Sequence, residues 1–274
     1  MSRPGAFRQI TGIESESAVE NVISRINYIR RTKKTASQWV ILVEGSEDKT
    51  LYRRFTQKGQ SAIVVTAGTN VMEPLIRRLP DTERFVAIED ADFNNIVQYK
   101  TSNHNKCYTD AHDTEMMCLS QGNSRNVFLL KVNCSGEIFQ SVFDELKLYS
   151  ILKLINVIED RGYSFNDVNE EICESPTADI TNPNFLLSRV PNQGSRFIVA
   201  PYLNGKRRIY DLVDLYQLTN GHDFLIRLAK RLGHTENSIR RELYAGFSLN
   251  DFHSTRLYHD LQAWEQEHHV TLFS

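Results

Sequence analysis

Trp39-Val40-Ile41-Leu42-Val43-Glu44-Gly45 and Arg84-Phe85-Val86-Ala87-Ile88-Glu89-Asp90-Ala91-Asp92 decide how this chain is read. Each is a continuous apolar run that ends abruptly in acid. An apolar run bounded by turn residues predicts a strand buried on both faces, as a parallel sheet requires. In open α/β sheets, ligands lie at the carboxyl ends of the strands. Carboxylates at two such ends predict an acidic crevice, and gathered carboxylate oxygens suit a hard divalent cation of the magnesium type.

Between the two runs the pattern stays α/β. Gly45-Ser46-Glu47-Asp48 supplies a turn and an N-cap for a helix over 49–58, with Leu51, Tyr52 and Phe55 apolar. Gln60 to Thr66 predicts a second strand through Ile63-Val64-Val65. Ala67-Gly68-Thr69-Asn70 then breaks the chain ahead of a helix over 71–79, with Pro74 expected in its first turn, where proline is tolerated. This alternation predicts a parallel sheet with right-handed crossovers. Upstream, Val19, Val22, Ile23, Ile26 and Ile29 recur at helical spacing over 15–31, and the helix closes on basic residues. Such a helix is expected to cover one face of the sheet; a partner-binding or oligomer helix is the alternative.

Downstream, Cys107-Tyr108-Thr109 predicts a fourth short strand. Asp110-Ala111-His112-Asp113-Thr114-Glu115 follows it as a third acidic strand-to-helix junction, opening a helix over 116–119. Phe128-Leu129-Leu130 reads as a further strand. From Gly136 the pattern turns helical, over 137–158, from Gly221-His222-Asp223 through 224–232, near 238–244 and over 255–268. Residues 166–205 read as loop-rich, with one strand at Phe197-Ile198-Val199. The fold expected is α/β, a parallel sheet flanked by helices and followed by a mainly helical C-terminal region. Three parts are expected: an N-terminal helix (1–36) on or beside the sheet, a catalytic α/β domain (37–135) and the helical region (136–274).

Composition narrows the function class. With 41% hydrophobic and 24% charged residues the chain has ordinary globular usage, so disorder and fibrous repeats are disfavoured. A formal charge of −2 lacks the basic excess of a dedicated nucleic-acid binder. Local clusters at Arg30-Arg31, Lys33-Lys34, Arg77-Arg78 and Lys206-Arg207-Arg208 can still meet phosphates. The start lacks a secretory core and no apolar stretch is long enough to span a bilayer, so a cytoplasmic protein without a membrane partner is expected. Cys107, Cys118, Cys134 and Cys173 form no C-x-x-C pair and are expected as buried free thiols. No phosphate-binding glycine loop of the nucleotide-binding types follows a strand, which argues against a nucleotide-binding protein.

Metal-assisted phosphoryl transfer needs oxygen ligands from several chain segments. On an extended backbone Asp90 and Asp92 project to one side and Glu89 to the other, which makes Asp90 and Asp92 a ligand pair. Glu44 is expected to complete the coordination or to take a proton from the nucleophile. Gly45, without a Cβ, is expected to permit a tight turn and close approach of a phosphate. Each acid also has a plainer reading. Asp48 and Glu47 fit a helix N-terminus, Asp113 and Glu115 a first helical turn, and His112 and His222 hydrogen-bonded structural positions.

Val43-Glu44-Gly45-Ser46-Glu47-Asp48, followed by Ile88-Glu89-Asp90-Ala91-Asp92, resembles the Toprim domain. That domain occurs in type IA topoisomerases, bacterial primases, small ribosomal-RNA maturases and overcoming-lysogenisation nucleases. Its signature is a glutamate-glycine after the first strand and a D-x-D after the third. Asp90-Ala91-Asp92-Phe93, the segment Thr109 to Glu115, and Asn220-Gly221-His222-Asp223 resemble more narrowly an uncharacterised-domain group. This group includes the Toprim effector that PARIS anti-phage systems pair with an ABC-type ATPase. The resemblance implies Glu44 as the acid/base or metal-bound glutamate and Asp90 and Asp92 as ligands of Mg2+ or Mn2+. It implies Asp48, Asp113 and Glu115 as support for a second cation. It further implies a stand-alone endonuclease acting on RNA such as tRNA, or on DNA, with an ATPase partner and a homo-oligomer as candidate assemblies. Lys49, Lys206, Arg207, Arg208 and the Arg240-Arg241 pair are the candidate contacts to substrate or partner. The competing reading is an interaction module that keeps the Toprim shape without its activity. Glu89 is an extra acid beside the pair, expected to bind outward or to restrain an arginine.

Overall fold

A computed structural model describes residues 12–80, 84–97, 103–159, 165, 181, 186 and 213–274. In chain order the first elements are α1 (Gly12–Arg31), β1 (Trp39–Val43), α2 (Ser46–Tyr52), β2 (Ser61–Val65), α3 (Thr69–Arg78), β3 (Phe85–Glu89), α4 (Asn94–Val97) and β4 (Lys106–Tyr108). There follow α5 (Thr114–Ser120), α6 (Gly122–Lys131), α7 (Gly136–Ile158), α8 (Leu215–Leu218), α9 (Gly221–Leu232), α10 (Glu236–Gly246), α11 (Leu249–His253) and α12 (Arg256–Glu267). The chain forms two compact units, and α11 runs across their boundary in sequence.

The sheet unit takes its described residues from 12–80, 84–90, 103–110 and 252–274. Its sheet has four strands in the order β2-β1-β3-β4, and every pairing is parallel. β1 and β3 are the central strands, buried from Val40 to Val43 and from Phe85 to Glu89, which is why their sequences are apolar without alternation. On one face Val19, Val22 and Ile26 of α1 join Val71, Met72, Leu75 and Ile76 of α3 over Val40, Leu42, Val64, Phe85 and Ala87. The apolar stripe of α1 thus covers the sheet. Elsewhere in the unit Tyr52 and Phe55 pack on Phe252, with ring centroids 6.3 and 4.7 Å apart. Trp264 of α12 meets Trp39 edge-on at 5.0 Å and donates its indole N–H to Asn105 Oδ1 at 3.1 Å. The chain end is tied in by Ser274 N–H to the Phe55 carbonyl at 2.9 Å and Gln57 N–H to the Leu272 carbonyl at 2.7 Å.

The helical unit takes its described residues mainly from 91–97, 111–159 and 213–251. Its central helix is α7, apolar over most of its circumference, with Phe139, Val142, Phe143, Leu146, Leu152 and Leu154 among its buried residues. Phe143 packs on Phe224 of α9 at 4.4 Å and on Tyr216 of α8 at 5.2 Å. Polar links along α7 and α9 join Lys153 to Asp223 at 2.6 Å and Arg227 to Glu145 at 2.8 Å.

Two local expectations change. Phe128-Leu129-Leu130 lies in α6 and is not a strand. Ser124 and Phe128, four apart, are buried while Leu130 is 82% exposed, a helical pattern that three apolar residues are too few to reveal. Pro74 lies beyond the first turn, because α3 already starts at Thr69. The helix tolerates the missing donor while burying Val71, Met72, Leu75 and Ile76. The strand expected at Phe197-Ile198-Val199, the greater part of the 166–205 loop region, and Cys173 lie outside the described residues. Cys107, Cys118 and Cys134 are free cysteines rather than disulfides, and Cys134 is only half-buried. Burial, and then the charge of Asp260, push the Cys107 thiol up to about 12, so it is inert at neutral pH. Among the described residues no helix is long and apolar enough to cross a membrane.

Lys106 forms a buried ion pair in the sheet unit. Its side chain is 1% exposed and its Nζ lies 2.6 Å from the carboxylate of Glu89, with Glu73 as a second partner. Burial alone lowers its pKa, but the charge of Glu89 and the hydrogen bonds that Lys106 donates to Glu73 and Glu89 outweigh that and raise it. A lysine pKa raised by folding stabilises the fold below the unfolded value, near 10.4, and that contribution fades as pH climbs through the folded value. The part of the sheet unit's stability that rests on the raised Lys106 pKa is therefore expected to fade in alkali. Lys106→Met, which strands Glu89 in the core, is expected to cost about 3–5 kcal/mol. Urea unfolding followed by tryptophan fluorescence checks both, since Trp39 and Trp264, the chain's two tryptophans, belong to this unit.

Candidate functional site

The site in the sheet unit is built at the carboxyl ends of β1 and β3. β1 pairs with β3 through Val40 opposite Phe85, Ile41 opposite Val86 and Leu42 opposite Ala87. Continuing that register brings Glu44 level with Glu89. One carboxylate oxygen of Glu44 accepts the backbone N–H of Asp90 at 3.1 Å. The end of β1 is held from its other side, where Thr66 N–H and hydroxyl both donate to the Val43 carbonyl, at 2.9 and 3.2 Å. Gly68 N–H donates to the Glu44 carbonyl at 3.1 Å. The end of β3 is held by Thr109 N–H, which donates to the Glu89 carbonyl at 3.1 Å. Glu44 and Asp90 are half-buried, so two acids stand together on a fixed backbone without being sealed in the core.

Neighbouring acids have other tasks. Glu89 is fully buried and paired with Lys106; the cation it restrains is a lysine, not an arginine. Asp48 takes the capping role, accepting Gly45 N–H at 2.9 Å. Gly45 has an extended backbone, φ −121°, so no unusual turn demands glycine there. An added Cβ would sit 3.2 Å from Asp48 Oδ2, a tight contact that the capping carboxylate would have to shift by a few tenths of an ångström to relieve.

Asp92, Asp113 and Glu115 belong to the helical unit. Asp92 has φ +47°, so the extended geometry that would carry it to the same side as Asp90 does not hold. Its N–H donates to the His112 carbonyl at 2.6 Å, which ties it to the junction ahead of α5. Asp113 is buried and caps α5 through Met116 N–H at 2.9 Å, while its other oxygen accepts Gly221 N–H at 2.6 Å. One carboxylate thereby holds the first turns of α5 and α9, and His112 Nδ1 lies 3.2 Å from it. Glu115 pairs with Arg240 Nε at 2.9 Å, and Arg240 also meets Glu236. His222 lies 3.0 Å from Arg240.

The structural roles of Arg240 and Gly221 differ from those expected of them. Arg240, expected with Arg241 as a contact to substrate or partner, pairs within the fold, and the signal that separates it from Arg241 is Glu236 one helical turn earlier. Gly221, expected only as the start of a helix and part of a resembling segment, is a position where a Cβ would fall 2.4 Å from Asp113 Oδ1. Lys49 lies on α2, while Lys206, Arg207 and Arg208 lie outside the described residues.

Magnesium is usually bound by one or two protein carboxylates, with waters and substrate phosphates completing its shell. The oxygen-only pair Glu44 and Asp90 fits a site of that open kind. A closed protein cage is not formed: among the described residues no three His, Cys, Asp or Glu side chains gather as a cation site.

Asp113→Ala, which removes a cap and orphans two buried N–H groups, is expected to destabilise the helical unit by about 2–3 kcal/mol. Gly221→Ala is expected to be at least as damaging, and amide exchange at the starts of α5 and α9 reads both. No protein-family model, no curated protein and no solved structure matches this chain.

Proposed function

We propose that the protein is a metal-dependent endonuclease that hydrolyses phosphodiester bonds in nucleic acid, with Glu44 and Asp90 at its centre. The observation that carries this reading is the Glu44 carboxylate hydrogen-bonded to the Asp90 backbone at the ends of two adjacent, fully buried parallel strands. It is supported by the resemblance of the Glu44-Gly45 and Asp90-Ala91-Asp92 segments to Toprim nucleases. Glu44, oriented by the Asp90 N–H, is the group to take a proton from the attacking water or return one to the leaving oxygen. Asp90 is a cation ligand; Asp92, to which the resemblance also assigns a ligand role, belongs to the helical unit. Magnesium or manganese, when bound, supplies charge stabilisation at the phosphate. Lys206, Arg207 and Arg208 are candidate phosphate contacts. Within the same reading the chain is a cytoplasmic toxic effector of anti-phage defence, cutting RNA such as tRNA, or DNA, and kept inactive by an ABC-type ATPase partner.

One observation favours a second reading, a non-catalytic Toprim-like module of an ATPase-containing complex. Asp48, Asp113 and Glu115 each have a structural partner in the fold, so these three acids are accounted for without a cation.

Cleavage of mixed tRNA and plasmid DNA with magnesium or manganese separates the readings. A metal-dependent cut by the wild type, reduced by about 10²–10⁴ in Glu44→Gln and Asp90→Asn with folding intact, supports the nuclease. A cut unchanged in both variants rejects these residues. No cut by the free chain or by its complex with the ATPase leaves the interaction module.

A further inference from the structure

A groove of about 650 Å³ lies beside β2, lined by Arg25, Tyr28 and Ile29 of α1, Lys49 of α2, and Ile63 and Val64 of the strand itself. β2 is an edge strand, and among the described residues it pairs along its length with β1 alone. Two bonds fix which way its backbone points. The Gln60 carbonyl accepts Trp39 N–H at 3.0 Å, and Thr66 N–H donates to the Val43 carbonyl at 2.9 Å, so even-numbered residues address β1. Successive residues of a parallel strand alternate in this respect. Ser61, Ile63 and Val65 therefore turn their N–H and C=O groups outward.

An edge of this kind is a template for another strand. Proteins commonly guard such edges with charge or proline on the strand, and Ser61-Ala62-Ile63-Val64-Val65 carries neither. Cations stand on the flanking helices instead. Arg25 is exposed and Lys49 half-buried, and among the described residues neither enters an ion pair. No carboxylate lines the groove. Tyr28 is 73% exposed at its rim.

We propose that this groove docks an extended acidic segment of a partner protein, which adds to the sheet as a strand beside β2. Outward N–H and C=O groups supply the pairing, Ile29, Ile63 and Tyr28 the apolar contact, and Arg25 and Lys49 the preference for acidic side chains. A second copy of this chain fits less well, because strand-to-strand pairing would bring both copies' Arg25 and Lys49 to one seam. Nucleic acid fits less well, because its phosphates would face the outward carbonyls. The surface uses none of Glu44, Asp90 or Asp92, so it stands or falls separately from the nuclease reading.

The test uses the full chain and a fluorescein-labelled pool of peptides about seven residues long. Valine, isoleucine or threonine alternates in them with aspartate or glutamate. Saturable binding by anisotropy is expected, weakened at least about tenfold by combining Arg25→Glu with Lys49→Glu, with slowed amide exchange at Ser61, Ile63 and Val65. Ile63→Pro removes an outward donor where an edge strand tolerates proline, and is expected to abolish binding. The charge-reversed variant, at one exposed and one half-buried position outside the core, keeps the test decisive if the proline variant does not fold. The proposal is overturned if the pool does not bind, or if a lysine-for-acid pool binds equally. It is also overturned if single-stranded oligothymidylate protects the same amides, or if sedimentation shows a dimer that Ile63→Pro dissolves.

Discussion

The parallel pairing of β1 with β3 is the constraint on which the sheet unit rests. Both strands are buried on both faces, so the alternation that normally fixes strand register is absent. The acids that end each run supply that information. A slip of one residue would draw Glu44 or Asp90 into an apolar interior, and burying an unpaired carboxylate costs more than any single aliphatic contact returns, about 1.5–3 kcal/mol. The register observed, Leu42 opposite Ala87, leaves both acids at the edge of the core and lets Glu44 reach the Asp90 N–H.

The last residue of β3, Glu89, and Asp90 just beyond it meet opposite fates because successive side chains of an extended chain leave it on opposite sides. Asp90 stays half-exposed. Glu89 is buried and needs compensation, which Lys106 of β4 provides and Glu73 of α3 shares. A buried pair of this kind is weak evidence for net stability, but losing either partner is expensive. Lys106 therefore ties β3, β4 and α3 together by the cost of separating them.

In the helical unit the same residue type performs packing work. Asp113 sits at a helix start, where a carboxylate is stabilised by unpaired N–H groups and the helix dipole. It serves two helices at once, and the absence of a side chain at Gly221 makes room for that. How far an acid at a strand-to-helix junction is committed thus depends on the N–H groups around it, which the residue type does not reveal.

The sequence by itself determined the parallel α/β core. Apolar runs without alternation mark β1 and β3, periodicity marks α1 and α7, and abrupt acids mark the strand ends carrying Glu44 and Asp90. These signals are local, so one chain segment suffices to read them. Short runs such as Phe128-Leu129-Leu130 were misread because three apolar residues have no period. Only the tertiary structure decided that residues 252–274 belong to the sheet unit, that Lys106 answers Glu89, and that Asp113 accepts the Gly221 N–H as well as capping α5. It also decided that Asp92, in a left-handed turn, departs from the extended geometry assumed for it. Each of those outcomes depends on residues distant in sequence or on a backbone angle, and no pattern of neighbours encodes which distant group will satisfy a buried charge.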